Sequence, residues 1–236
     1  MDNPKSNIVI GVDLGGTTIK AGLVSADGSI LYNNKFPTYA DKGPATVIQQ
    51  IRAAVQDALK HTDGAQVGGI GIGSPGVVDD EGVVKAPPNF VDWDEVPLKS
   101  ELSKLFPAVS IGVENDANAA AIAESKFGAG VQYPNFLFVI WGTGVGGGII
   151  LNHKIFRGPT GGAGEIGHVS IDYSGPQCNC GNVGCVEAYV GQRYLSPRTA
   201  QRLQAHPDTR ILQLVGSDLS KIEPVYISQA ANEGDT

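Results

Sequence analysis

The chain has 236 residues, 42 % of them apolar and 17 % charged, with 24 acids against 17 bases and a net charge of −7. That is enough for one large domain or two small ones with real cores, and the composition is that of a soluble globular protein. The acidic balance and the lack of a Lys/Arg cluster argue against a nucleic-acid surface; no apolar run approaches a membrane span, and residues 1–7 hold no apolar signal core.

Residues 8–11 read as a short buried strand, followed by Asp13-Leu-Gly15-Gly16-Thr17-Thr18-Ile-Lys20, then a strand at 21–24 and a turn at 26–29. The pattern predicts an antiparallel meander broken by a Gly-rich turn. A Gly-Gly-Thr-Thr turn can aim several backbone N–H groups and two hydroxyls at one point, which suits phosphate oxygens. A plain glycine hairpin reads the same way, and this is no Walker A loop, since no Gly-Lys-Ser/Thr follows at the required spacing.

Apolar residues at helical spacing predict a helix over 44–60, with Pro44 in its first turn. Residues 68–73 alternate as a strand, 77–86 form a hairpin around Asp80-Glu81-Gly82, and 87–93 form an extended loop. Asn89 or Trp93 could face a sugar there, although a lone Trp more often packs as core or lid. A short helix is expected over 97–106, a strand over 109–113, and a helix over 117–127 stopped by Gly128 and Gly130. Between that strand and helix lies Glu114-Asn115-Asp116. Either Asn115 or Asp116 reads first as the helix N-cap, but strand ends in α/β chains are where ligands bind.

Residues 136–141 form a strand, then Gly142-Thr143-Gly144-Val145-Gly146-Gly147-Gly148, then strands at 149–151 and 155–156. This repeats the plan of residues 8–31, which predicts duplicated lobes, 1–116 and 117–236, whose Gly/Thr turns face one another. Residues 158–164 are read as a flexible segment, and 186–203 as helical with an interruption at Pro197; 211–214 and 222–227 show only weak periodicity, and 232–236 are polar.

All three cysteines, Cys178, Cys180 and Cys185, fall in one turn-rich stretch with His168 just upstream. Thiolates crowded on a turning loop beside an imidazole are the ligand set of a closed tetrahedral zinc site, which leaves no position open for chemistry. The competing reading is three ordinary cysteines, but a loop rich in Gly and Asn is poorly suited to burying three thiols, and an odd number cannot pair completely. Cysteines committed to metal fit a reducing cytoplasm. Glu165 and Glu187 bracket the ligands. Rigidly held acids are suited to gripping hydroxyls, so the zinc is expected to shape a polyol pocket.

Taken together, Asp13-Leu-Gly-Gly-Thr-Thr-Ile-Lys20, Glu114-Asn-Asp116, Gly142-Thr-Gly-Val-Gly-Gly-Gly148, Gly164-Glu-Ile-Gly-His168 and Cys178-x-Cys180-Gly-x-x-Gly-Cys185-x-Glu187 resemble the ROK family of sugar kinases and repressors, and within it the bacterial glucokinases. The resemblance implies an actin-like, duplicated ribonuclease-H-like α/β fold binding ATP and a sugar between two lobes. It implies Asp116 as general base, and Asn89, Asn115, Asp116, Glu165, His168 and Glu187 along the sugar. His168, Cys178, Cys180 and Cys185 would hold structural zinc. Asp13, Gly15, Gly16, Thr17, Thr18, Lys20, Gly142, Thr143, Gly144 and Gly146 would lie at the ATP phosphates, with Asp13 near Mg²⁺. The loop from Ala86 through Asn89 and Trp93 to Leu98 looks like the glucokinase version, so glucose is expected ahead of N-acetylmannosamine, N-acetylglucosamine or fructose. The full-length protein is expected to be a homodimer or homotetramer.

Family members usually run longer, their later part holding the helices around the adenine; that subsite is then absent, or the chain is a fragment. Gly191 also stands where many relatives have Ser. The rival classes are a sugar-responsive repressor, which would need a DNA-binding domain where only seven residues precede Ile8, and a non-catalytic sugar-binding fragment.

Overall fold

The computed structural model describes residues 8–206 and 208–235. The readings of residues 1–7 and of the terminal Thr236 lie outside the described residues. The strands are β1 (Ile8–Leu14), β2 (Thr18–Val24), β3 (Ile30–Pro37), β4 (Val67–Ser74), β5 (Val77–Val78), β6 (Val84–Lys85), β7 (Glu95–Val96), β8 (Ser110–Asn115), β9 (Phe136–Trp141), β10 (Val145–Leu151) and β11 (Lys154–Phe156). The α-helices are α1 (Gly43–Leu59), α2 (Leu98–Leu105), α3 (Asp116–Phe127), α4 (Val186–Val190), α5 (Gln192–Leu203), α6 (Arg210–Leu214) and α7 (Pro224–Asn232). By packing, the chain falls into two units, Met1–Phe138 with Gly148–Gly164, and Val139–Gly147 with Glu165–Thr236.

In the first unit β1, β2 and β3 form the expected antiparallel meander, and β4 and β8 extend it in parallel to the order β3-β2-β1-β4-β8. Strict alternation on β1 turns Ile8, Ile10, Val12 and Leu14 inward. Across the sheet α1 presents Val47, Ile51, Ala54, Val55 and Ala58, the stripe its 3.6-residue period dictates. Each large aliphatic side chain buried there is worth about 1.5–3 kcal/mol. The 77–86 hairpin is present, and β7 adds a third strand to it. Trp93 is 3 % exposed and meets Phe90 edge-on at 5.1 Å, so it packs as core and not towards a sugar.

The second meander is also present, as a sheet ordered β11-β10-β9. Its glycines behave differently from expectation: β10 begins at Val145, so Gly146, Gly147 and Gly148 belong to a strand, and the turn is only 142–144. Residues 158–164, read as flexible, follow Arg157 in a turn closed by the Ala163 N–H donating to the Arg157 carbonyl at 3.1 Å.

The helical stretch at 186–203 breaks at Gly191, not at Pro197, which sits inside α5. The cause is tertiary. The Gln192 and Arg193 N–H groups donate to the Gly142 and Thr143 carbonyls at 3.1 and 3.2 Å, and a new helix starts there. The weakly periodic region folds as α6 and α7 around a small core of Ile211, Val215, Ile222 and Ala230. Among the described residues no helix is long and apolar enough to cross a membrane.

Candidate functional site

In the first unit, the candidate residues gather at the carboxyl ends of parallel strands. Asp13, Gly73 and Glu114 are register partners across β1, β4 and β8, and Ser74 pairs with Asn115 one row on. This end of a parallel sheet is where α/β folds bind ligands. Gly73 is what lets α3 approach: a Cβ there would lie 3.6 Å from both the Asp116 Cα and the Ala119 Cβ. Asp13 forms an exposed ion pair with Lys20 at 3.0 Å. The 15–17 turn is closed by the Gly15 N–H on the Thr18 carbonyl, and Thr38 Oγ1 donates to the Gly15 carbonyl at 2.6 Å. Asn89 is brought to this turn, its Cβ 3.9 Å from where a Gly16 Cβ would stand. Ala86, Asn89 and Asp92 all have positive φ (41°, 70° and 55°), so their loop carries backbone strain of the kind that marks ligand clamps.

The cap is Asn115. Its Oδ1 accepts the Asn118 N–H at 3.0 Å, and its Nδ2 donates to the Gly76 carbonyl at 3.0 Å. Asp116 is the first residue of α3, not its cap, and its Oδ1 accepts the adjacent Ala117 N–H at 2.8 Å. Solvent reaches Asp116, yet protein crowds it, and that dehydration raises its carboxyl above the ordinary aspartate value. The negative charge of Asp13 adds to the shift, while the Ala117 N–H, the N–H of Asp116 itself and the Asn115 side chain oppose it. A helix N-terminus by itself would hold a carboxyl low, and here burial outweighs it.

In the second unit the four candidate zinc ligands converge. Their ligating atoms all lie within 4.8 Å of one another. His168 Nδ1 is 3.6 Å from Cys178 Sγ, and Cys180 Sγ is 3.7 Å from Cys185 Sγ. Bonds of about 2.3 Å to sulfur and 2.0 Å to nitrogen imply tetrahedral edges of about 3.8 Å between sulfurs and about 3.5 Å between sulfur and nitrogen, so these residues fit zinc. Two of the thiols, Cys178 and Cys185, are buried after all, and only Cys180 is exposed. Burial alone would raise both. For Cys178, hydrogen bonds from the Cys180 N–H, the Tyr194 hydroxyl, the Cys180 thiol and His168 reverse this and bring it to about 7, while burial and its sulfur neighbours push Cys185 up to about 12. Three thiolates this close need a cation to coexist.

With Nδ1 turned to the thiols, His168 Nε2 lies 3.9 Å from Glu165 Oε2, leaving that ring edge and an exposed carboxylate to face a ligand. Glu187 Oε2 accepts the Val145 N–H at 2.8 Å. Gly144 makes room for it, since a Cβ there would stand 2.3 Å from that oxygen. Around the turn, Trp141 Nε1 also donates to the Val190 carbonyl at 2.8 Å. Tyr194, which no sequence signal singled out, closes over the cysteines, its hydroxyl accepting the Asn179 N–H at 2.7 Å and facing Cys178 Sγ at 3.7 Å. Asn89, Asn115 and Asp116 thus belong to one unit, and Glu165, His168 and Glu187 to the other.

The sequence model of the ROK family matches residues 9–236. The chain is 38 % identical over 228 residues to a glucokinase of Thermotoga maritima, spanning 96 % of this chain and 70 % of that protein. It is 33 % identical over 231 residues to a xylose repressor of Caldicellulosiruptor bescii, 96 % of this chain and 56 % of that one. Among solved structures, a ROK family glucokinase from Streptomyces griseus in complex with glucose and AMPPNP superimposes with a TM-score of 0.79 at 40 % identity, covering 97 % of this chain and 72 % of that one.

Proposed function

This chain belongs to the ROK family and has its actin-like sugar kinase fold, and from that premise we propose that it is an ATP-dependent hexose kinase converting glucose to glucose 6-phosphate. The observation that carries the reading is the division of labour at the β8–α3 junction. Asn115 caps the helix, so Asp116 is left with a carboxylate oxygen free for a substrate hydroxyl. Asp116 accepts the proton of the sugar's primary hydroxyl as that oxygen bonds to the terminal phosphorus of ATP and the bridging oxygen leaves with ADP. Glu165, His168 Nε2, Glu187, Asn89 and Asn115 orient the hydroxyls.

The 13–20 and 142–146 segments are proposed to hold the phosphates through the Thr17, Thr18 and Thr143 hydroxyls and through N–H groups other than those of Gly15, Gly142 and Val145, which have internal acceptors. Asp13 offers the carboxylate oxygen that a hard cation prefers, and Mg²⁺ would offset phosphate charge there. Zinc at His168, Cys178, Cys180 and Cys185 would be structural, fixing the loop that bears Glu165 and Glu187. A cytoplasmic setting fits its free thiols. Two lobes, 1–116 and 117–236, remain part of this proposal as duplicated repeats; the compact units count packing instead, and α3 packs on β4, β8 and β11.

A second reading is a sugar-sensing repressor, supported by the likeness to a xylose repressor. It would bind sugar without turning it over. A coupled assay for ADP with glucose, together with calorimetry of glucose, N-acetylmannosamine and fructose, tests both. Turnover with glucose bound tightest is expected. Binding without turnover favours the repressor, and tightest binding of an N-acetyl sugar overturns glucose as substrate.

A further inference from the structure

We propose that Glu114 and Arg157 are a positioning pair that holds the β8–α3 junction, and with it Asn115 and Asp116, in the orientation phosphoryl transfer needs. The role in turnover rests on the kinase reading above; the hydrogen-bond geometry does not.

Both oxygens of Glu114 are fully used. Oε2 accepts from Arg157 Nε at 2.9 Å and Nη2 at 2.5 Å. Oε1 accepts from the Asn115 N–H at 3.0 Å and from Asn118 Nδ2 at 3.1 Å. The two residues held by Oε1 bracket Asp116, one immediately before it and one two after. Asn118 is itself 3 % exposed, and its Oδ1 has no partner among the described residues, so the bond from Glu114 is what orients its side chain.

This differs from a surface ion pair in what it requires. The Glu114 side chain is 15 % exposed and that of Arg157 39 %. A carboxylate so enclosed needs a paired charge and hydrogen bonds on both oxygens, and four donors supply them. Two come from the guanidinium fork, which a lysine cannot reproduce. Arg157 is anchored in turn: it follows β11 directly, and its carbonyl accepts the Ala163 N–H. The strap after β11 is thereby tied to the strand end that presents Asp116. Displacing a reacting group by about 1 Å is enough to cost on the order of 100-fold in rate.

The test uses the full chain with Arg157→Met and Arg157→Lys. NMR amide exchange should show faster exchange of the Asn115 and Asn118 N–H groups in Arg157→Met, with α1 and β1 as protected as before. With glucose and ATP, kcat should fall about 10- to 100-fold while KM for ATP stays within about twofold. Arg157→Lys, which keeps the charge but not the fork, should recover part of both. Unchanged exchange at Asn115 and Asn118, or a folded Arg157→Met with wild-type kcat, overturns the proposal. Should Arg157→Met not fold, Arg157→Lys decides: wild-type kcat in that variant overturns the pair. A wild-type chain that turns over no hexose removes the kinase reading, and the exchange measurement still decides whether the pair holds the junction.

Discussion

One oxygen of the Glu187 carboxylate sits 2.8 Å from the Val145 nitrogen, across a sequence separation of 42 residues. Glu187 lies two positions after the zinc-ligand candidate Cys185, and Val145 directly follows the 142–144 turn proposed to hold phosphate. A single side chain therefore ties the cysteine loop to that turn, and under the proposed function its second oxygen is the one offered to a sugar hydroxyl.

Removing that tie should be felt at both ends. Glu187→Ala leaves the Val145 N–H without its acceptor, and Val145 is buried. Half-burial of Glu187 limits the loss to about 1–2 kcal/mol of stability, read by urea denaturation. KM should rise for glucose and ATP together. Glu187→Gln retains an amide oxygen for Val145 and should keep most of the stability and the ATP affinity. If Glu187→Ala raises KM for glucose alone, the strut has no part in phosphate binding.

Metal analysis of protein purified without added metal should give about one zinc per chain. Cys180→Ser is the cleanest substitution, because Cys180 is the exposed thiol and its loss opens no cavity. The variant should lose the metal, expose the amides of residues 165–190 to exchange, and bind glucose weakly. Full glucose affinity without zinc would show that the metal does not shape the pocket.

For Asp116→Asn, stability should not fall at neutral pH. The folded state raises this carboxyl above its unfolded value, ordinarily 3.8. Its contribution to stability is therefore present below that value and lost as pH rises through the folded value. Asn removes this pH dependence, so the variant should be as stable as the wild type at pH 7 or slightly more so. The amide cannot take a proton, and kcat should drop roughly 10²–10⁴-fold with glucose affinity little changed. In the wild type, activity should decline on the acid side at a pH above the ordinary aspartate range. Near-normal turnover by Asp116→Asn would place the base elsewhere.

Asn115 offers a complementary separation. Asn115→Ala removes the α3 cap and should cost about 1 kcal/mol in thermal or urea unfolding. Asn115→Asp keeps a capping oxygen but loses the donor to Gly76 and adds a charge next to Asp116. It should unfold between the Asn115→Ala variant and the wild type and shift the acid limb of kcat upwards. Equal stability of the Ala and Asp variants would mean that the cap contributes nothing.

Most of the elements from β1 to β11 were legible in order from the chain alone; β7, α6 and α7 were not. The period-2 alternation of β1 and the helical stripe of α1 are local patterns that one face of core imposes on successive residues. The cluster of His168, Cys178, Cys180 and Cys185 was legible too, because its members fall in one short window whose turns bring them together. Tertiary structure alone decided the points where two local choices are nearly equal. Asn and Asp cap helices about equally well, so sequence could not choose between Asn115 and Asp116; the backbone path through Asn115, fixed by its bond to Gly76, made the choice. The break at Gly191 instead of Pro197 depends on two carbonyls of the 142–144 turn that take up the α5 N–H groups. Glu187 with Val145 and Arg157 with Glu114 meet across 42 and 43 residues, distances over which no periodicity carries information and only the packed sheet and helices bring the groups together.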